Sequence, residues 1–132
     1  MTTAAPLMHL GPMPASARMR TLDERFVQAP LRTIFGIAAD VERWPERLSH
    51  YRRVQFRERT GECGVVEMSA DRPFGPLNWP TWWVSLIQIR DEGNVPSIRF
   101  RHIDGITTRM EVEWLFAPAS GGTRVSVLHL WN

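Results

Sequence analysis

From Leu48 onward, apolar and polar side chains alternate with a period of two, as in strands that bury one face. Val54 and Phe56 alternate with Arg53, Gln55 and Arg57, and Val66, Met68 and Ala70 with Glu67, Ser69 and Asp71. The same rhythm recurs at Trp83, Ser85, Ile87 and Ile89, at Ile98, Phe100 and His102, at Met110, Val112, Trp114 and Phe116, and at Val125, Val127, His129 and Trp131. Turn signals separate these runs: Thr60-Gly61, Asp91-Glu92-Gly93-Asn94, Asp104-Gly105 and Gly121-Gly122.

Upstream the period changes. Arg20–Val27 reads as a further strand. Ala29-Pro30 opens a helix, with proline tolerated in the first turn. Leu31, Ile34, Phe35 and Ala38 fall on one helical face. Asp40 is expected to cap a second short helix reaching Leu48, broken at Trp44-Pro45. One strand, two short helices and six strands predict an α+β fold with a curved seven-stranded antiparallel sheet. Two short helices cover only one end of its apolar face. A long helix is needed for the rest, and the sequence reaches Trp131-Asn132 without supplying it. Residues 1–19, with Pro6, Pro12 and Pro14 and no acid, read as a flexible N-terminal extension; residues 20–132 read as the domain.

Composition narrows the classes. The 132 residues suit one domain, and 43% hydrophobic with 23% charged residues excludes a disordered chain. No apolar run approaches the ~18 residues of a spanning helix, and Pro6 and His9 break the stretch from Ala4 to Leu10 that a signal core would need. All 16 basic residues are arginine, but 14 acids leave a net charge of +2. Only Arg52, Arg53, Arg57 and Arg59 cluster, diluted by Glu58 and Glu62, so no nucleic-acid partner is expected. A single cysteine, Cys63, forms no internal disulfide and sits in a glycine-flanked turn. A cytoplasmic location is expected. The histidines lack metal-ligand spacing, and no phosphate or dinucleotide glycine motif appears, so neither metal nor cofactor is expected. Glu111 and Glu113 share the outer, solvated strand face, where pairing with arginines across the sheet is expected.

Several segments in order resemble a known superfamily. They are Val27-Gln28-Ala29-Pro30, Ala39-Asp40-Val41-Glu42-Arg43-Trp44-Pro45 and His50-Tyr51-Arg52-Arg53-Val54 near the start. Later come Arg101-His102-Ile103-Asp104-Gly105, Met110-Glu111-Val112-Glu113-Trp114 and Gly122-Thr123-Arg124-Val125. Residues 20–132 thereby resemble the START-like (SRPBCC) superfamily, in its polyketide cyclase/dehydrase and coenzyme Q-binding branch. The resemblance implies a helix-grip fold, in which the sheet wraps a long C-terminal helix around an apolar cavity. It implies a START-like ligand-binding domain, C-terminally truncated because that helix is missing. The chain then reads as a fragment, or as a protomer completed by a homo-oligomer or by a partner supplying the helix. The implied ligands are polyketides, quinones or lipids.

Strand parity supplies the lining of such a cavity. Phe56, Val66, Met68, Trp83, Ile87, Phe100, Met110, Val112, Trp114 and Val127 point inward, as ligand contacts or as plain core. The inward polar positions are Arg72, Ser85, His102 and His129. Buried polar groups need partners, and a few placed in apolar walls suit a small-molecule site. Arg72 is positioned to polarise a carbonyl, and His102 or His129 to move protons. The resemblance allows two uses of that equipment: hydrophobic ligand binding, or aldol-type ring closure and dehydration by an aromatase/cyclase. A third reading is a truncated interaction protein without ligand. Trp44, Tyr51, Trp79 and Trp82 are expected at the cavity rim, and the connection from Arg72 to Pro80 as a lid.

Overall fold

The computed structural model describes residues 10–74 and 77–132, with the backbone alone at 72–74 and 78. Strand β1 (Met19–Val27) leads into α1 (Leu31–Ala39), a 3-10 turn at Val41–Arg43 and α2 (Trp44–Arg47). Six strands follow: β2 (Tyr51–Thr60), β3 (Cys63–Phe74), β4 (Leu77–Arg90), β5 (Ser97–Gly105), β6 (Glu111–Ala119) and β7 (Gly122–Trp131). All pair antiparallel in one sheet of order β1-β7-β6-β5-β4-β3-β2. The helices therefore bridge the sheet's two edges. No helix among the described residues is longer than the nine of α1, so the expected long C-terminal helix is not part of these 132 residues.

The inward parity of the strands is the one predicted. Val66, Ile87, Ile98 and Phe116 are fully buried on the concave face. The helices close one end: Phe35 of α1 meets Phe116 edge-on, ring centroids 5.3 Å apart. Irregular register at Tyr51/Arg53, Phe56/Glu58 and Val84/Ser85 adds local bend and twist to the sheet.

Local chemistry around the helices differs from the prediction at the Asp40 cap. The Asp40 carboxylate makes no cap hydrogen bond; it faces Arg43 at 3.5 Å and Arg47 at 3.9 Å instead. The break expected at Trp44-Pro45 is the change from the 3-10 turn to α2, with Pro45 second in α2, where a first-turn residue needs no N–H partner.

The segment expected as a lid loop is strand over its described residues. β3 continues to Phe74 and β4 begins at Leu77. The described backbone of β3 beyond Asp71 and of β4 before Trp83 pairs only within this hairpin, since β5 joins β4 at Trp83 and β2 leaves β3 near Ala70. Each strand of this arm is thus an edge, where prolines such as Pro73 and Pro80 are tolerated.

The convex face carries a buried polar cluster where a solvated one was expected. Glu111 accepts from Arg99 at 2.8 Å and from Arg101 at 2.5 Å, and all but a tenth of its side chain is covered. The N-terminal segment binds the same arginines. Leu10 is buried; its N–H donates to Gln88 at 3.1 Å and its carbonyl accepts from Arg101 at 2.9 Å, while Arg99 donates to the Gly11 carbonyl. Side chains thus satisfy both backbone polar groups of Leu10, as a buried peptide unit requires.

Candidate functional site

The open end of the concave face holds a cavity of about 430 Å³. That volume lies within the ~300–1,000 Å³ typical of small-molecule sites. Its apolar wall comes from Met68, Ala70, Phe100, Met110, Val112 and Leu48. Cross-strand register explains the grouping: Met68 lies opposite Trp83, and Phe100 opposite Val112.

Aromatic rings frame the space. Trp44 sits edge-on to Tyr51 at 5.1 Å and tilted against Trp114 at 5.3 Å. Its indole N–H donates to the Ala38 carbonyl at 3.0 Å, so α1 anchors it. Tyr51 meets Trp83 at 6.2 Å, and Trp83 stacks nearly parallel on His102 at 5.4 Å. Gly105 sets this wall. With φ of 103° it lies against the Trp82 carbonyl, and an added Cβ would come within 2.7 Å of Trp83 Cα. Only glycine accepts both that backbone conformation and that approach.

Polar groups gather on the same cavity. His50, His102, His129, Tyr51 and Asp71 all line it. His102 Nδ1 is 2.6 Å from the Thr107 hydroxyl, which fixes the ring, and His50 lies against Tyr51 at 4.6 Å. Asp71 faces Arg52 at 3.5 Å. The Trp83 indole N–H is buried and finds no acceptor among the described residues. Imidazoles in an apolar wall can donate to a ligand oxygen or move a proton near neutral pH. No group of three or more described His, Cys, Asp or Glu is arranged to hold a metal ion. Cys63 begins β3 just after the β2–β3 turn, and burial, with Glu62 beside it, raises its thiol pKa. That is the opposite of an activated nucleophile.

The structure brings together Met68, Trp83, Phe100, Met110, Val112, Trp114, His102 and His129. Val127 lines a separate apolar groove of about 410 Å³ between α1 and the β1–β7 edge, where Trp44, Leu48 and Trp114 form the partition. Phe56, Ser85 and Ile87 line neither. Ser85 bonds the Leu86 carbonyl, Ile87 lies in the core, and Phe56 carries Arg59 over its ring. Trp44 and Tyr51 form wall, while Trp79 and Trp82 are exposed outside the cavity. The Arg72 side chain lies outside the described residues. Leu48, His50, Ala70 and Asp71 were not singled out from sequence. Ala70 has inward parity; Asp71 does not, and lies beside the start of β2, its N–H donating to the His50 carbonyl at 2.7 Å.

A family model described as polyketide cyclase / dehydrase and lipid transport matches residues 27–132. The chain belongs to this family. Solved structures share the family fold. One, from Thermus thermophilus, is 24% identical with a TM-score of 0.74, covering 86% of this chain and 74% of its own. The Zhui aromatase/cyclase of a Streptomyces species is 18% identical at TM-score 0.70, covering 84% and 66%. A STAR-related lipid transfer protein of Xanthomonas axonopodis is 12% identical at TM-score 0.68, covering 92% and 73%. No helix among the described residues is long and apolar enough to cross a membrane.

Proposed function

We propose that this polyketide cyclase/lipid transport family member binds a flat, hydrophobic small molecule of polyketide, quinone or lipid type in the concave-face cavity. The observation that carries this is one aromatic-framed, largely apolar space of about 430 Å³ that His50, Tyr51, Asp71, His102 and His129 also line. Apolar faces then drive binding, and His102, His129 or the Trp83 N–H meets the oxygens that orient the ligand. The similarity to a lipid transfer protein and to an aromatase/cyclase supports the same ligand class.

A second reading, an aromatase/cyclase, rests on His102 and His129 lining one cavity. In it, an imidazole removes the proton between two ketones, the enolate closes on a carbonyl, and water leaves. Arg72 was the expected carbonyl-polarising partner.

The test is fluorescence titration with N-phenyl-1-naphthylamine, a flat apolar probe. Val112→Trp, which fills the cavity, should weaken binding at least tenfold while the far-ultraviolet circular dichroism stays unchanged. Equal affinity in both proteins would place the probe elsewhere and overturn the cavity reading. A synthetic linear polyketone separates carrier from catalyst. Cyclised product that disappears in His102→Ala and His129→Ala favours the enzyme; bound but unchanged polyketone favours the carrier.

A further inference from the structure

Exposed apolar side chains concentrate at the cavity end of the sheet. Leu77, Trp79 and Trp82 are more than half exposed on or beside the β3–β4 arm. Ile103 and Ile106 stand exposed at the end of β5, and Met19 at the start of β1. Register places these at one end: Trp83 pairs with Gly105, Met19 with Trp131, and the Trp131 indole N–H donates to the Thr108 carbonyl at 3.2 Å. A two-stranded arm is marginal in water by itself. Large apolar groups gathered at one site mark an interaction surface.

The charges around them have one dominant sign. The exposed strand ends and loops here carry Arg18, Arg20, Arg52, Arg53 and Arg109 against Asp71, Asp104 and Glu67, the last beside Arg53 but paired with Arg57. Arg52 and Asp71 pair, so the surplus comes from the other arginines. Arg53 and Trp82 lie in one cross-strand row, each register partner to Ser69. Arg109 belongs to the β5–β6 loop, its N–H donating to the His102 carbonyl of the cavity wall at 2.8 Å.

We infer that this end of the molecule docks on the surface of an anionic lipid bilayer. Tryptophan rings prefer the headgroup boundary, and arginines are drawn to anionic headgroups. A protein partner would need a complementary apolar surface, whereas a bilayer takes scattered side chains projecting from an arm and a loop. Docking would set the cavity mouth on the membrane and let a hydrophobic ligand pass without crossing water. That use rests on the cavity reading; the docking itself stands on the surface residues.

The test is flotation of the full 132-residue chain with two sets of vesicles, pure phosphatidylcholine and phosphatidylcholine with about one quarter phosphatidylglycerol. Binding to the anionic set, lost in high salt, is expected. Trp79→Ser with Trp82→Ser should weaken it at least tenfold. Arg53→Ala with Arg109→Gly should weaken it roughly thirtyfold, at about fivefold per arginine. Leu22→Ser with Phe26→Ser, exposed apolar positions farther along β1, should change nothing. No flotation, or equal flotation of wild type and arm variants, overturns the inference. So does concentration-dependent self-association that the tryptophan variant abolishes without any vesicle binding. N-phenyl-1-naphthylamine affinity without vesicles is measured on the same variants, so failure of docking and failure of the cavity are read separately.

Discussion

Replacing Glu111 by alanine separates a built convex face from a solvated one. In the folded chain the carboxylate accepts from two arginines, and the side chains of Arg99 and Glu111 are only 5% and 11% exposed. Arg99 also leaves its Nε–H without an acceptor among the described residues. Solvent-exposed pairs contribute about 0–1 kcal/mol. Removing one partner of a buried pair costs about 3–5 kcal/mol, because the remaining charge stays desolvated. Arg101 is 36% exposed and can turn to water, which places the expected loss near the lower end, about 3 kcal/mol. With a urea slope of about 1.5 kcal/mol/M, the midpoint should fall by about 2 M. Glu67→Ala supplies the reference, since Glu67 pairs at 2.5 Å with the largely exposed Arg57. Adding 1 M salt should erode the Glu67 effect and leave that of Glu111, because screening acts mainly on exposed charges. Equal midpoint shifts for the two variants would refute the buried-cluster argument.

The remaining predictions follow from single contacts. Deleting residues 1–12 removes the carbonyls that Arg99 and Arg101 hold and the buried Leu10, and should lower the urea midpoint clearly; an unchanged midpoint would mean the segment does not pack. Gly105→Ala forces a positive φ and a clash on the Trp82–Trp83 backbone, and should cost at least ~2 kcal/mol in thermal unfolding; a neutral result would contradict the close approach. Cys63 should alkylate more slowly with iodoacetamide at pH 8 than free cysteine, because its raised pKa leaves less thiolate; a faster rate would contradict the buried placement.

Strand parity made the concave face readable from sequence, because a side chain's face follows from counting by two. Height along the strand was not readable. Ile87 and Met68 share inward parity and one buried cluster with Phe35, yet only Met68 also lines the cavity. The placement of the helices decides which inward residues also border open space, and no local pattern encodes it. Glu111 shows the converse. Its outer parity was right, but the arginines that hold it also bond the Leu10 and Gly11 carbonyls, about a hundred positions away. Asp40 had the residue type of a cap and found arginines instead. Asp71 had the wrong parity for the cavity and lines it beside the start of β2.

Methionine methyl NMR tests the central claim most directly. Met68 and Met110 line the cavity and Met19 is exposed outside it. On titration with N-phenyl-1-naphthylamine, the methyl resonances of Met68 and Met110 should move together under the ring current of the bound probe, and that of Met19 should stay in place. Movement of Met19 with Met68 and Met110 unchanged would contradict ligand binding in the concave-face cavity.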